Sequence, residues 1–358
     1  MRAVLRRMLE AGLITLLLAG CAGPREGAPA APAAEARPAA GSAPAASTPA
    51  PAAPTAARAP ATREAFHLAY PNLSMSYLPI LMARDLGYYD EEGLDADLVQ
   101  MRANVGQAAL VAGEVDFTAA VGSNIKMALQ GAPIKTILLF VQAQVMSLVA
   151  QPQYRTPESL RGKSVGVGVA GASIDQVARL ILKHYGLEPQ RDVSVVPVGD
   201  GAIQYQALQL GQVDSAVMSL PFPVLARREG YAIVANAPDL FKLPSGGVGT
   251  LQSTLEQRRD MVRRVARAQI RALQYVRTHP EEVARFTEQF FDMDYQTARE
   301  SYDFLLPAFS TTGEVDREAM ELQLEMERGE GMVVTLDYDQ LVDPTIAADA
   351  ARDLGLRP

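Results

Sequence analysis

From Phe66 onward the chain alternates short apolar runs with stretches whose apolar residues recur every three or four positions, the signature of strands separated by helices. Phe66 to Tyr70 predicts a strand, Tyr77 to Leu86 a helix ended by Gly87, and Leu94 to Met101 a second strand. Gln107 to Ala112 is helical up to Gly113, Val115 to Val121 is a third strand, and Asn124 to Gln130 is a helix stopped by Gly131. The order then repeats, with a strand over Ser164 to Val169, a helix over Ile174 to Tyr185 and a strand over Val193 to Val198. Ala109-Leu110-x-x-Gly113-x-Val115-Asp116 matches Ala207-Leu208-x-x-Gly211-x-Val213-Asp214, and each copy ends a helix, turns at Gly and starts a buried strand. Strands alternating with helices imply βαβ units. The internal match implies two α/β lobes of like construction, each a mainly parallel sheet flanked by helices.

After Val248 the pattern turns helical. Val262, Val265, Ala266, Ile270, Leu273 and Val276 share one helix face, and Arg263, Arg264, Arg267 and Arg271 share the other. The arginines read as a solvated face, with a docking patch for an anionic partner as the alternative.

The N-terminal part is different. Residues 22 to 62 are nearly all Ala, Pro, Gly, Ser and Thr, with no aromatic residue and no Val, Ile, Leu or Met. Such a segment buries too little apolar area to offset the entropy of ordering it, and its prolines favour an extended tether. Ahead of it, Arg2, Arg6 and Arg7 precede a short apolar stretch, Ala11 to Leu18. A bilayer span needs about 20 apolar residues, so this stretch fits the core of a secretory signal instead. Leu18-Ala19-Gly20-Cys21 resembles the bacterial lipobox, in which the cysteine is lipidated and becomes the mature N-terminus. Residues 1–20 are therefore expected to be a signal peptide and 21–63 a tether anchored by lipid at Cys21. The folded part would lie in the periplasm or at the outer face of the cytoplasmic membrane.

Composition narrows the function classes. The formal net charge is −8, and the residues before Cys21 contribute an excess of arginine, so the remainder is more acidic still. Nucleic-acid binding requires the opposite balance. One cysteine allows no internal disulfide and no cysteine metal site. His67, His184 and His279 are too scattered for a catalytic triad or metal centre. Gly166-x-Gly168-x-x-Gly171 has the form of a dinucleotide fingerprint, but Gly166 and Gly168 alternate with Val165, Val167 and Val169 as strand positions do. No acidic residue follows at the spacing a ribose would need. The expectation is a protein without cofactor, metal or catalytic residues.

Tyr77-Leu78-Pro79, Ala83, Gly87-Tyr88-Tyr89 and Glu92-Gly93-Leu94 resemble the start of the binding proteins for sulfonates, taurine, nitrate and thiamine-pyrimidine precursors. The paired Ala-Leu-x-x-Gly-x-Val-Asp turns, Gly131-Ala132-Pro133-Ile134 and Leu160-Arg161-Gly162-Lys163 continue the likeness, which runs from about residue 65 to 330. The resemblance implies the type II periplasmic-binding-protein fold, two lobes joined by two crossing strands with the ligand between them. It implies a monomer that delivers a small organic molecule or anion to the permease of an ABC-type importer. It places lobe 1 at 64–150 and 246–358 and the inserted lobe 2 at 151–245, with crossings near Met146 to Gln151 and Gly246 to Thr250. The clustered histidines and cysteines of the pyrimidine-synthesising relatives are missing here, which separates this chain from that branch. A lipid-anchored enzyme of pyrimidine or cofactor metabolism, and a ligand-sensing adaptor subunit, are the competing readings.

Open α/β sheets bind ligands beyond the C-terminal ends of their strands, where helix starts present N–H groups and a positive dipole end. Four such starts carry hydroxyl, amide or aromatic side chains. They supply Asn72, Ser74, Met75, Ser76 and Tyr77; Ser123 and Asn124; Gly171, Ala172 and Ser173; and Ser219 and Phe222. Helix capping explains each residue singly, and Ser173 with Gln176 has the spacing of a capping box. With no Arg or Lys at their tips, these starts suit a small neutral or singly anionic ligand with a flat or apolar portion.

Overall fold

The computed structural model describes residues 63–71, 74–171, 173–199, 201–329 and 331–356. Residues 1–20, expected to be a signal peptide, Cys21 and nearly all of the expected tether lie outside the described residues, as do Asn72 and Ala172.

The strands are β1 (Glu64–Tyr70), β2 (Leu94–Gln100), β3 (Phe117–Ala120), β4 (Ile134–Leu139), β5 (Met146–Ala150), β6 (Ser164–Val167), β7 (Ser194–Pro197), β8 (Ser215–Ser219), β9 (Ala232–Asn236) and β10 (Gly246–Leu251). They form two five-stranded sheets, ordered β2-β1-β3-β10-β4 and β7-β6-β8-β5-β9. In the first, β1 pairs parallel with β2 and β3, whereas β10 runs antiparallel between β3 and β4. In the second, β6 pairs parallel with β7 and β8, whereas β5 runs antiparallel between β8 and β9. Each lobe is thus a mainly parallel sheet with one antiparallel strand inserted. In lobe 1 that strand, β10, returns after lobe 2, whereas in lobe 2 it is β5, which opens the consecutive run β5 to β9.

That arrangement corrects one boundary. The segment 146–150, expected at the end of lobe 1, is an interior strand of the second sheet. Its residues Met146 to Ala150 are all buried, as a strand covered on both faces requires. The chain crosses between lobes just before β5 and again just before β10.

The internal repeat has a backbone cause. Gly113 and Gly211 both adopt positive φ, +76° and +66°, where residues with a Cβ are strained. Each lets the chain leave its helix and enter the next strand at once.

Lobe 1 is built around Phe66, whose ring meets Tyr89 and Phe117 edge-on at 5.2 and 5.7 Å. The helices Leu78–Asp85 and Arg259–Thr278 cover this core, the latter through Val262, Val265, Ala266, Ile270, Leu273 and Val276. Its arginine face is neither free nor simply solvated. Arg263 pairs with Asp353, Arg264 with Glu64 and Asp260, Arg267 with Glu92 and Asp353, and Arg271 with Glu91. Apart from Arg264–Asp260, which lies within the helix, these contacts staple the helix to its own lobe and pair each arginine with a carboxylate.

Lobe 2 packs Val177, Ile181 and Leu182 of the helix Ser173–His184 against Val165 and Val167 of β6. Gly166 is an interior strand residue here, as its alternation with valines predicts. The helix Arg317–Gly329 touches both lobes. Met320 and Leu324 join Val121 and Ile125 of lobe 1, while Leu322 and Met326 pack against the lobe 2 core.

Candidate ligand cleft

Strand register fixes which edges of the two sheets face each other. Met146, the first residue of β5, pairs with Ser219, the last of β8. Gly246, the first residue of β10, pairs with Ala120 at the end of β3, and Gly247 pairs with Leu139 at the end of β4. Both crossings therefore enter their sheets at the C-terminal ends of the parallel strands. Those ends, and the helix starts beyond them, look toward the other lobe. The crossings are joined to each other: Gln144 Nε2 donates to the Pro244 carbonyl at 2.8 Å, and the Ser245 N–H donates to the Val141 carbonyl at 3.0 Å.

After β1 the chain forms a turn over Met75–Tyr77, capped by Ser74, whose hydroxyl accepts the Ser76 N–H at 3.3 Å. The Ser76 hydroxyl lies 3.4 Å from that of Ser245 on the second crossing. Contact there is close enough to demand glycine next door, since a Cβ at Gly246 would stand 2.2 Å from the Ser76 carbonyl oxygen. The loop is thus seated on the crossing. Met75 and Tyr77 depart from expectation. Both belong to the lobe 1 core, Tyr77 is 8% exposed, and its ring lies 6.4 Å from that of Tyr70. Burial pushes the Tyr77 phenol well above its ordinary pKa. These two side chains anchor the loop; Ser76 is as little exposed as Tyr77 and turns its hydroxyl to Ser245, while Ser74 is partly buried.

The helix after β3 begins at Val121, three residues before the expected start, because Val121 and Ile125 extend its apolar stripe inward. Ser123 and Asn124 consequently fall within its first turn. Ser123 is partly buried. Asn124 is 1% exposed and faces its own strand: the Thr118 hydroxyl donates to Asn124 Oδ1 at 2.7 Å, and Asn124 Nδ2 donates to the Thr118 carbonyl at 3.4 Å. Its amide holds the helix to β3 rather than facing a ligand. Lys126, two residues further on, pairs with the buried Glu327 at 3.5 Å.

In lobe 2, the buried Asp175 accepts the Gly171 N–H at 2.8 Å and Arg179 Nε at 3.0 Å, fixing the turn after β6. The sequence offered no sign that Asp175 would take this role ahead of Ser173. Ser173 is the first residue of its helix and is exposed. Ser219 ends β8 and is partly buried, and Phe222 opens the next helix with its ring 5.8 Å from that of Tyr205. Ser245 was missed altogether. Its partnership with Ser76 spans most of the folded chain, and no local pattern encodes it.

The lobes also meet outside the cleft. The helix Tyr295–Leu305 packs against the turn Met75–Tyr77 of lobe 1 and the helix Phe222–Arg228 of lobe 2. Arg228 Nη1 donates to Thr297 Oγ1 at 2.5 Å and to Asp294 at 3.3 Å, and Arg227 pairs with Glu300 at 2.7 Å. Thr297 hydrogen bonds and, secondarily, Arg228 hold the Asp294 carboxyl at about 2, below its ordinary value.

Among the described residues, no cluster of three His, Cys, Asp or Glu could hold a metal ion, and no helix is long and apolar enough to cross a membrane. The groups at the facing edges can donate and accept hydrogen bonds. Among the described residues, they include no nucleophile paired with a base.

Residues 74–283 match the family described as NMT1/THI5 like. The riboflavin-binding protein RibY of Chloroflexus aurantiacus is 30% identical over 306 residues, which are 79% of this chain and 78% of that one. Among solved structures, the periplasmic aliphatic sulphonate binding protein SsuA from Escherichia coli superposes with a TM-score of 0.68 at 15% identity. That match covers 80% of this chain and 99% of SsuA. The periplasmic nitrate-binding protein NrtA from Synechocystis PCC 6803 gives 0.66 at 15% identity, over 82% and 89% of the two chains. At such identities the structural likeness speaks for the fold, and the sequence match carries the kinship. With two sheets, two crossings and that match in agreement, the chain belongs to the NMT1/THI5-like family and has the two-lobed α/β fold of periplasmic solute-binding proteins.

Proposed function

We propose that this protein is an extracytoplasmic receptor, tethered by lipid at Cys21, that captures a small organic solute between its lobes and delivers it to the permease of an ABC-type importer. The observation that carries the reading is the register of β5 and β10, which turns the ligand-binding edge of each sheet toward the other. Ser74, Ser76, Ser123, Gly171, Ser173, Ser219 and Phe222 are the described groups on those edges that we assign to the ligand, with Asn72 and Ala172 beside them in the chain. Polar groups there fix orientation, and closure of the lobes excludes water. The relative named for riboflavin binding makes a flavin the first ligand to try.

Mass spectrometry of small molecules that co-purify with the protein tests the reading. We expect one unmodified solute at a stoichiometry near one, and a more compact folded part in small-angle scattering when it is added back. Chemical turnover of that solute, or tight binding with no change in scattering, would count against a transport receptor.

A further inference from the structure

Single exposed aliphatic side chains are ordinary, but several brought to one edge mark a surface that something covers. In lobe 2 two of them stand at the facing edge. Val169 follows the end of β6 and is 64% exposed, and Ile203, in the first turn of the helix Ala202–Gln209 beyond β7, is 56% exposed. Phe222 opens the helix beyond the end of β8. Since β7, β6 and β8 are neighbours in that order, the three apolar side chains come from three adjacent strand ends, which are spaced about 4.8 Å apart.

The loop beneath them is shaped to carry them. Gly199 and Gly201 both have positive φ, and a Cβ at Gly199 would lie 3.2 Å from Ile203 while one at Gly201 would lie 3.2 Å from the Phe222 ring. Bare backbone at both positions lets Ile203 and Phe222 lie flush on the loop. Gln204, fully buried, pins it by accepting the Gly201 N–H at 3.1 Å and donating to the Val217 carbonyl at 2.9 Å. The internal repeat aligns Ile203 with Val105, which is itself 51% exposed at the start of the matching helix of lobe 1.

Charge completes the picture. Across 167–171, 198–204 and 219–222 the sequence contains no Lys, Arg or His, and its one charged residue is Asp200. A wall of that kind offers an anion no counter-ion.

We infer that Val169, Ile203 and Phe222 form an apolar plate that receives the flat face of a planar, uncharged ring system, and that lobe 2 thereby selects against small inorganic or sulfonate anions. This rests on the receptor reading and names its ligand class.

The test uses the full-length protein with lumichrome, an uncharged fused-ring fluorophore, and with ethanesulfonate and nitrate as the anionic probes. We expect lumichrome to bind with quenched fluorescence and neither anion to displace it. Ile203→Ser should weaken it roughly tenfold, the scale of losing most of one buried aliphatic side chain. Val169→Ser should act alike, Val333→Ser, exposed elsewhere, should not, and none should shift unfolding of the free protein. Lumichrome that fails to bind, or binds Ile203→Ser and Val169→Ser as it does the parent, overturns the plate. Closure in scattering driven by ethanesulfonate or nitrate instead would overturn the plate while leaving the receptor reading standing. Intact ligand binding in Ile203→Ser with loss of permease stimulation would reassign the surface to docking and likewise overturn the plate.

Discussion

Asp116 and Asp214 perform the same task in the two lobes. The Asp116 carboxylate accepts the His67 N–H at 2.9 Å, and that of Asp214 accepts the Ser164 N–H at 2.9 Å and its hydroxyl at 2.8 Å. Each clamps the strand leaving a Gly turn to its parallel neighbour, β1 in lobe 1 and β6 in lobe 2. In Asp214, burial opposes the charge, but hydrogen bonds from Ser164 and Tyr154 outweigh it and hold the carboxyl below its ordinary pKa. Asp214→Ala removes the acceptor and leaves those donors unmatched, at a cost of about 1–3 kcal/mol. Denaturant unfolding should show that loss, with ligand affinity nearly unchanged in the folded fraction. A variant as stable as the parent would show that the clamp contributes nothing.

Asp294 offers a pH test. Its folded pKa, about 2, is lower than in an unfolded chain, so its stabilisation is present above the unfolded value and lost as pH falls toward the folded one. The window runs from about pH 4 down to about pH 2. Asp294→Asn keeps an acceptor for the Thr297 N–H but gives up the charge facing Arg228. The gap between parent and variant melting temperatures should therefore be present at neutral pH and shrink through that window. A gap that is constant with pH would show that the charge is not what matters.

Much of this fold could be read from periodicity, because strand–helix alternation and the two Gly turns are local signals. The repeat also pointed to two lobes of like construction. What escaped the sequence was long-range. Nothing local marks β5 as an interior strand of the second sheet, since a buried run reads the same in either lobe. At the candidate site, helix starts were legible but side-chain direction was not. Asn124 turns back to Thr118 and Tyr77 enters the core, while Ile203, an ordinary helix residue in sequence, stands exposed. Asp294–Arg228 and Ser76–Ser245 depend on how the lobes come together, which no window of sequence contains.

Export can be tested apart from binding. If Cys21 carries the anchor, Cys21→Ala should leave the membrane fraction and appear soluble or unprocessed. Fractionation identical to the parent's would rule out the lipid anchor and leave the ligand cleft untouched.

The last prediction separates ligand groups from structural ones at the cleft edge. Ser76 and Ser219 sit on facing edges, and each lost neutral hydrogen bond to a ligand should cost about 0.5–1.5 kcal/mol. Ser76→Ala with Ser219→Ala should therefore weaken the co-purified ligand by roughly fivefold to a hundredfold. Melting of the free protein should move little, because neither hydroxyl is the partner of a buried unpaired group. Asn124→Ala should behave in the opposite sense. It strands the buried Thr118 hydroxyl and opens a gap beneath β3, so the free protein should lose about 1–3 kcal/mol of stability. Its surviving folded fraction should bind close to normally. Calorimetric titration together with thermal unfolding of both variants decides the matter. Strong ligand loss in a fully stable Asn124→Ala would return that residue to the binding surface, and unchanged binding in the double serine variant would remove both serines from it.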